Sequence, residues 1–279
     1  MQQPLIKQGW LRAVLFLIAY LLLMLFTTTA LSKLSASISL PDVPALWGNI
    51  LIQLIVGILL VLIFRKWMDR ASIKSLGLPL KQYAREAMIG FVSGIFLCHF
   101  IAVVLWLMQL LEWIPDDVSL LSLLPSFLLM VLVAFTEELV FRGYMLNNLM
   151  QSMNEKTALF ASAFIFAAAH SFNAEFNLTA FFNILLAGLL LGINYIFTRN
   201  LWFGILLHLS WNFVQGPVIG FKVSGLELPS LLQQNLRGSI LLTGGEFGLE
   251  ASWLTTIVFG MMIPVLYSLF HKKYKVPSA

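Results

Sequence analysis

Charged residues are scarce in this chain of 279 residues, in which Asp, Glu, Lys and Arg together make up only 11%. A soluble domain of this length carries about a quarter charged residues. Because hydrophobic residues reach 59%, the charges are too few to cover a water-facing surface, and lipid must be the main solvent. No segment is polar enough for a separate soluble domain, so the sequence predicts a single transmembrane domain over residues 1–279.

Cysteine occurs only once, which excludes an internal disulfide bond. Cys98 lies in the apolar run GIFLCHF, where a thiol behaves as a small hydrophobic group. The formal net charge is only +4, and the positions of the basic residues argue against a nucleic-acid partner.

What the chain does have is long apolar runs, most of them near the ~20 residues that cross a bilayer. They indicate an all-α polytopic membrane protein with about eight transmembrane helices. The first run exceeds the 7–15 apolar residues of a signal peptide, so we expect a retained helix. The fifth run is short, and we expect it to end inside the protein, where the segment SFNAEFN lines a polar cavity. The eight runs cover residues 12–31, 47–64, 88–111, 119–141, 157–170, 178–198, 201–219 and 252–270.

The basic residues are distributed unevenly over the loops between these runs. An eight-helix topology places 14 of the 17 Lys and Arg residues on one side of the membrane. Since basic loops stay in the cytoplasm, the sequence predicts a multi-pass protein of the cell (inner, cytoplasmic) membrane with both termini cytoplasmic. The positive charge then faces anionic lipid headgroups, and we expect no nucleic acid among the partners.

Three charged residues stand out near the end of the fourth run: Glu137, Glu138 and Arg142. Each charge at a helix centre costs about 2.5–3.5 kcal/mol on insertion scales, so these residues need partners or a function. Glu138 and Arg142 are four residues apart on one helix face and can form a pair. Glu137 points about 100° away from Glu138 and lacks that partner. Alternatively, all three residues lie at the headgroup level, where charge costs little.

Two further runs carry histidines. The fifth run ends at His170, four residues after Phe166, and the seventh holds His208 and Asn212 on one helix face. A lone histidine in an apolar helix is more often structural than catalytic. Together with Glu137, however, these residues suit catalysis, because a carboxylate in apolar surroundings is a useful base. Two imidazoles and an amide can hold a water molecule, a metal ion or a developing oxyanion.

In this order and on separate helices, the motifs Glu-Glu-x-x-x-Arg, Phe-x-x-x-His and His-x-x-x-Asn resemble those of the CPBP family. This family, also called Abi, comprises the CAAX proteases and bacteriocin-processing proteins. The likeness is close over about residues 120–216. It implies an intramembrane endopeptidase whose active site lies among helices 4, 5 and 7.

The resemblance also implies a role for each residue. Glu137 activates water, while His170, His208 and Asn212 bind that water or stabilise the oxyanion. Glu138 and Arg142 support the site electrostatically, and Phe166 packs beside it. A zinc ion held by the two histidines is an alternative that the sequence leaves open, since His₂Glu sites bind zinc. The His-Glu-x-x-His spacing of zinc peptidases is absent.

Three other classes of protein fit the same composition, one of them a haem protein that binds its haem through His170 and His208. A proton-coupled transporter can relay protons through intramembrane Glu and His residues, but matching helix pairs broken by Gly or Pro are not visible. A catalytically silent scaffold or immunity protein can also keep these residues. The expected partners of a protease are the lipid bilayer and a peptide or membrane-protein substrate, whose identity the sequence does not specify.

Overall fold

The computed structural model describes residues 3–38 and 42–274, without the side chains of residues 42–46 and 49. Within these ranges eight main helices follow the eight apolar runs, which confirms an all-α polytopic membrane fold. The main helices are α1 (Gly9–Ser37), α2 (Asp42–Trp67), α3 (Ala84–Leu107), α4 (Leu124–Glu138), α5 (Glu155–Ala169), α6 (Leu178–Ile193), α7 (Trp202–Phe213) and α8 (Trp253–Tyr274).

Six of the helical segments in the described ranges, those of α1 to α4, α6 and α8, are long and apolar enough to cross a membrane. The other two main helices are shorter. The 15 residues of α5 span only about 22 Å, less than the ~30 Å hydrocarbon core. The 12 residues of α7 are shorter still. The two short helices, α5 and α7, therefore depend on contacts with the surrounding helices to be stable within the membrane.

Two of the main helices continue beyond their α-helical part as wider π-helices. Leu139–Leu146 extends α4 in this form, and Val214–Val218 extends α7. Short helices complete the helical structure at Asn147–Leu149, Tyr195–Thr198 and Ile240–Thr243. Because π-helical turns occur frequently at functional sites, their position directly after Glu138 and shortly after Asn212 is notable.

The closest helix packing joins α7 to α3. A Cβ atom at Gly90 would lie 2.2 Å from the carbonyl oxygen of Phe203, and one at Gly94 would lie 2.1 Å from the Ser210 hydroxyl oxygen. No real side chain tolerates such distances, so the two backbones touch at these glycines. Small residues one turn apart allow this contact between membrane helices. As a result α7 is almost entirely buried, including His208 and Asn212.

Hydrogen-bonding side chains fix where α5 and α6 begin. Asn154 accepts a hydrogen bond from the backbone N–H of Thr157 at 3.0 Å, and Asn177 accepts one from Ala180 at 3.0 Å. Such N-caps stabilise a helix start by about 1 kcal/mol. From its start at Glu155, α5 delivers His170 to a 3₁₀ turn, His170–Phe172, directly after its last residue.

One end of the bundle holds a buried ionic cluster. Asp69 accepts hydrogen bonds from Arg12 and from Arg65, each at 2.7 Å, and all three residues are buried. Both arginines were counted among the cytoplasmic charges expected to face lipid headgroups. In the structure they form ion pairs inside the protein. Asp69 comes two residues after the end of α2, where its carboxylate contacts both arginines.

The opposite end, termed the ribbon end, carries a two-stranded antiparallel ribbon. Strand β1 (Leu111–Pro115) pairs with β2 (Leu232–Leu236), in a register that places Trp113 opposite Gln234. The connection between the π-helix of α7 and α8 contributes β2 and covers this end of the bundle. The apolar runs did not predict the ribbon, because its two strands lie more than 110 residues apart.

Candidate active site

The two adjacent glutamates at the end of α4 have different surroundings. The Glu138 side chain is completely buried, whereas 23% of the Glu137 side chain is exposed, into a wide cavity. Successive helix residues point about 100° apart, which explains the divergence. The sequence prediction that the two carboxylates face different partners agrees with this arrangement.

Glu138 forms the predicted pair with Arg142 and contacts more than that. Its Oε1 accepts a hydrogen bond from Arg142 Nη1 at 2.8 Å and lies 3.3 Å from His208 Nδ1. Arg142 in turn donates from Nη2 to the carbonyl oxygen of Gly188 at 3.0 Å. Its guanidinium lies 4.4 Å from the ring centroid of Phe166. The pair therefore ties α4 to α5, α6 and α7 at the level of the site.

The two histidines face the free oxygen of Glu137 from two different helices. His170 Nδ1 lies 2.8 Å from the carbonyl oxygen of Phe166, and His208 Nδ1 lies 3.3 Å from Glu138 Oε1. Since both neighbours are acceptors, each ring carries a proton on Nδ1. The opposite nitrogens, Nε2, lie 3.8 Å and 3.9 Å from Glu137 Oε2. Glu137 Oε2 is buried and has no hydrogen-bond partner among the described residues.

A wide cavity of about 1230 Å³ connects this group of residues with the ribbon end. Glu137, His170, His208 and Asn212 all line it, so the structure brings the four predicted site residues together. Asn173 and Ala174 of the segment SFNAEFN line it as well, as the sequence suggested. The cavity extends from Glu137 past α2 and α4 to the loops of the ribbon end.

A second, small cavity of about 40 Å³ meets the same residues. It lies between α5, α6, α7 and α8. His170, His208, Asn212 and Ser224 line both cavities, so the two spaces meet at the predicted site.

Phe166 packs at the base of the site, as the motif implied. Its ring centroid lies 4.5 Å from that of His170 and 6.3 Å from that of His208. The same ring faces the Arg142 guanidinium on another side. Phe166 therefore packs against the Arg142 guanidinium and against the His170 imidazole, and contributes to holding both in place.

The sequence analysis missed two residues on which the site depends. Glu250 is buried, and its Oε2 accepts hydrogen bonds from the N–H and the hydroxyl of Ser224, at 2.6 and 2.9 Å. The carbonyl oxygen of Ser224 accepts from Asn173, three residues after His170. Burial raises the pKa of the Glu250 carboxyl, while the hydrogen bonds from Ser224 oppose that shift. No periodic pattern marks Glu250, because it lies in a single 3₁₀ turn, Leu249–Ala251, in the connection before α8.

Gly204 is the other missed residue. A Cβ atom there would lie 2.7 Å from Glu138 Oε2 and 2.8 Å from the backbone oxygen of Leu191. Only a glycine lets α7 approach Glu138 closely enough for His208 to reach its carboxylate. The signal in the sequence was a single glycine one turn before His208, which on its own is too weak to interpret.

The geometry of these residues does not fit a metal ion. Within residues 3–38 and 42–274 no group of three or more His, Cys, Asp or Glu side chains is arranged to hold one. The separations of 3.8 and 3.9 Å also exceed the roughly 3.4 Å between two ligands that each lie about 2.0–2.1 Å from tetrahedral zinc.

Similarity to known proteins is confined to the central part of the chain. A family model described as type II CAAX prenyl endopeptidase Rce1-like matches residues 119–214. This range includes α4 to α7 and therefore Glu137, His170, His208 and Asn212. No curated protein and no solved structure shows significant similarity to the chain.

Proposed function

We propose that this protein is an intramembrane endopeptidase of the CPBP family, which hydrolyses peptide bonds at the membrane with Glu137 as the general base. The three motifs and the match of residues 119–214 to the Rce1-like family model support this proposal. One observation carries the proposal. The Nε2 atoms of two histidines from different helices face a single carboxylate oxygen of Glu137, beside a cavity that reaches the ribbon end.

In the proposed reaction Glu137 accepts a proton from a water molecule held beside His170 and His208. The resulting hydroxide attacks the carbonyl carbon of the peptide bond, and the oxygen of that carbonyl gains negative charge. The amide N–H of Asn212, which lines the same cavity, donates to this oxygen. Glu137 then passes its proton to the leaving nitrogen, so the C–N bond breaks and Glu137 regains its starting charge.

Glu138 and Arg142 act as positioning residues in this proposal. Glu138 accepts from His208 Nδ1 and thereby keeps the unprotonated Nε2 directed at Glu137. Arg142 balances the charge of Glu138 within the protein. Both groups are buried, which is consistent with a role that does not require contact with the substrate.

The substrate class follows from where the site lies. A site enclosed by membrane helices acts on a peptide or a protein segment held at the bilayer, so the partners are lipid and a membrane-associated polypeptide. We place the protein in the cell membrane with both termini in the cytoplasm. The ends of the chain, Met1 and Ala279, lie outside the described residues. Reporter fusions at the two ends should give the same side, and opposite sides would contradict this topology.

The direct test of the proposed function compares Glu137→Gln with the unmodified protein in liposomes that contain a membrane-anchored reporter peptide. Gln keeps the size of the side chain but cannot accept the proton, so cleavage should fall by at least a hundredfold, the lower range for general-base catalysis. Helical content and melting temperature should change little. In ¹⁸O-labelled water the new carboxylate of the product should gain one labelled oxygen.

A matched control is Glu175→Gln, since Glu175 is exposed on the loop before α6. This variant should cleave at the unmodified rate. Equal cleavage by the Glu137→Gln variant would remove Glu137 as the base. The membrane proteome of a strain with the unmodified protein can also be compared with that of a deletion strain. If no membrane protein is cleaved in a way that depends on this protein, a catalytically silent scaffold would be favoured instead.

A further inference from the structure

The end of the bundle opposite to the ribbon end, termed the basic end, gathers five segments of the chain. These are the start of α1, the α2–α3 connection, the turn between α4 and α5, the α6–α7 connection and the end of α8. Hydrogen bonds join them through the pairs Arg12–Gln151, Asn147–Tyr195, Asn200–Pro79 and Glu86–Tyr274. Residues 65–86 expose no acidic side chain, and they expose the five basic side chains of Lys66, Arg70, Lys74, Lys81 and Arg85.

The ribbon end carries few basic residues. Among the described residues only Lys33, Lys222 and Arg237 lie toward it, and the last two form ion pairs with Glu246 and Glu112. Lys and Arg residues keep the loops that carry them in the cytoplasm. The distribution therefore favours a cytoplasmic basic end, as in the topology proposed above, and an extracytoplasmic ribbon end.

The wide cavity leads from Glu137 to the ribbon end. Asp116, Gln234 and Glu246 line it there, and none of its lining residues belongs to the five segments of the basic end. The small cavity has no lining residue from those segments either. Between Glu137 and the basic end lies the π-helix Leu139–Leu146, in which every residue is buried. Packed side chains therefore separate the site from the basic end, while open space connects it with the ribbon end.

The depth of the site sets the length of polypeptide that must enter. Helix α4 begins at Leu124 near the ribbon end and has 15 residues, of which Glu137 is the last but one. At the rise of an α-helix, about 20 Å separates Glu137 from that end. An extended chain advances about 3.3 Å per residue, so about six residues have to enter. The amide side chains of Gln53, Asn173 and Gln234 line the cavity and can hydrogen-bond to such a backbone.

We infer that the site takes its substrate from the extracytoplasmic face, and that the substrate is a membrane-bound polypeptide with an unfolded segment that has already crossed the membrane. The inference rests on the proposed function for the hydrolysis and on the distribution of basic residues for the direction. It goes beyond the family match, because Asp116, Gln234 and Glu246 at the opening all lie outside the matched residues 119–214.

The first test measures from which side a small charged reagent enters the cavity. Cys98, the single cysteine, is buried and is first replaced in a Cys98→Ala background. Three variants then each add one cysteine: Val133→Cys in the wide cavity, Asp117→Cys exposed at the ribbon end, and Lys74→Cys exposed at the basic end. The probe is a methanethiosulfonate with a quaternary ammonium group, applied to spheroplasts and to inverted membrane vesicles.

Because its fixed charge is excluded from the hydrocarbon core, the probe should react at least about tenfold faster from the accessible side than from the other. Asp117→Cys and Val133→Cys should react in spheroplasts, and Lys74→Cys should react in inverted vesicles. Val133 lies one helical turn before Glu137, so the group added to Val133→Cys should also block cleavage of the reporter peptide.

The second test asks which side supplies the substrate. Two single-span reporter proteins carry the same unfolded segment of about twelve residues, twice the length that reaches Glu137. One reporter holds this segment on the extracytoplasmic side of its span, and the other holds it on the cytoplasmic side. In cells the first should be cleaved at least about tenfold faster, since the polar segment of the second cannot cross the hydrocarbon core. The Glu137→Gln variant should cleave neither.

The outcomes separate the two proposals. Reaction of Val133→Cys from the same side as Asp117→Cys, together with cleavage of the extracytoplasmic reporter, supports the inference. Reaction of Val133→Cys from the side of Lys74→Cys, from both sides or from neither overturns it. Reversed sides for the two surface controls, or faster cleavage of the cytoplasmic reporter, also overturn it. If Val133→Cys follows Asp117→Cys but neither reporter is cleaved in a Glu137-dependent way, the proposed function is wrong, and the substrate class is withdrawn with it.

Discussion

Breaking the buried Glu138–Arg142 pair should lower stability and activity to different degrees. Removing one partner of a buried ion pair costs about 3–5 kcal/mol. In Glu138→Gln the neutral amide oxygen can still accept from Arg142, so we expect the lower part of that range. Arg142→Gln also loses the bond to Gly188 and the contact with Phe166, so we expect the upper part. At about 2–4 °C per kcal/mol, the melting temperature should fall by about 6–20 °C.

The activity of each folded molecule should follow a different order. In Arg142→Gln, His208 keeps its acceptor on Glu138, so the folded fraction should retain most of its cleavage rate. Glu138→Leu removes that acceptor and releases the ring, so the folded fraction should lose most of its rate. The double change Glu138→Gln with Arg142→Gln should recover part of the lost stability, because neither charge is left alone.

The assay combines melting in detergent, the folded fraction from fluorescence-detected gel filtration, and cleavage of the reporter peptide per folded molecule. Two results would refute the reasoning. One is an Arg142→Gln variant that folds well and does not cleave while Glu138→Leu cleaves normally. The other is a double variant whose loss of stability equals or exceeds the sum of the two single losses, since the two side chains would then not stabilise each other.

Three further predictions concern packing, metal and pH. Gly204→Ala places a methyl group against Glu138 Oε2 and should cost about 1–3 kcal/mol and reduce cleavage. Gly260→Ala, where a Cβ atom meets nothing within 4 Å, is the control, and equal melting temperatures would contradict the packing argument. Treatment with o-phenanthroline should leave cleavage unchanged, and mass spectrometry should find no stoichiometric zinc; loss of activity that zinc restores would require a metal mechanism instead. Because burial raises the folded-state pKa of Glu250, its contribution to stability is complete below about pH 4.3, the ordinary Glu value, and decreases as pH rises through the folded-state pKa. As pH increases over this range, the melting temperature of Glu250→Gln should therefore fall less than that of the unmodified protein. His170 is the titratable group next to Glu250. Identical dependence of melting temperature on pH in the two proteins would exclude the effect.

Helix geometry predicted the relations between residues on one helix or on consecutive helices. The four-residue spacing predicted the Glu138–Arg142 pair, and the rise per residue placed Glu137 level with His170 across the turn between α4 and α5. Both are local consequences of one continuous helical segment, in which Leu139–Leu146 is π-helical. The apolar runs predicted where the main helices lie for the same reason, and six of the helical segments in the described ranges are long and apolar enough to cross a membrane.

The remaining features depend on contacts between distant parts of the chain. Arg12 and Arg65 were assigned to the membrane surface because a charge count does not include the position of Asp69. The register of β1 with β2 depends on how the covering loop folds over the helices. Glu250 reaches the site from that loop, outside the residues that match the family. These contacts arise from tertiary packing, which residue periodicity does not encode.

The short length of α5 and α7 has a consequence for the biogenesis of this protein. Neither helix is long enough to be stable alone in the hydrocarbon core, and α7 carries polar groups that lipid cannot satisfy. When each of them enters the membrane from the translocon, it must therefore pack against helices that are already in place. For α7 this neighbour is α3, which it contacts at Gly90 and Gly94. A partly synthesised chain that ends before α7 holds Glu137 but lacks His208 and Asn212. The nascent protein therefore does not yet contain the complete group of residues that we propose as its hydrolytic centre.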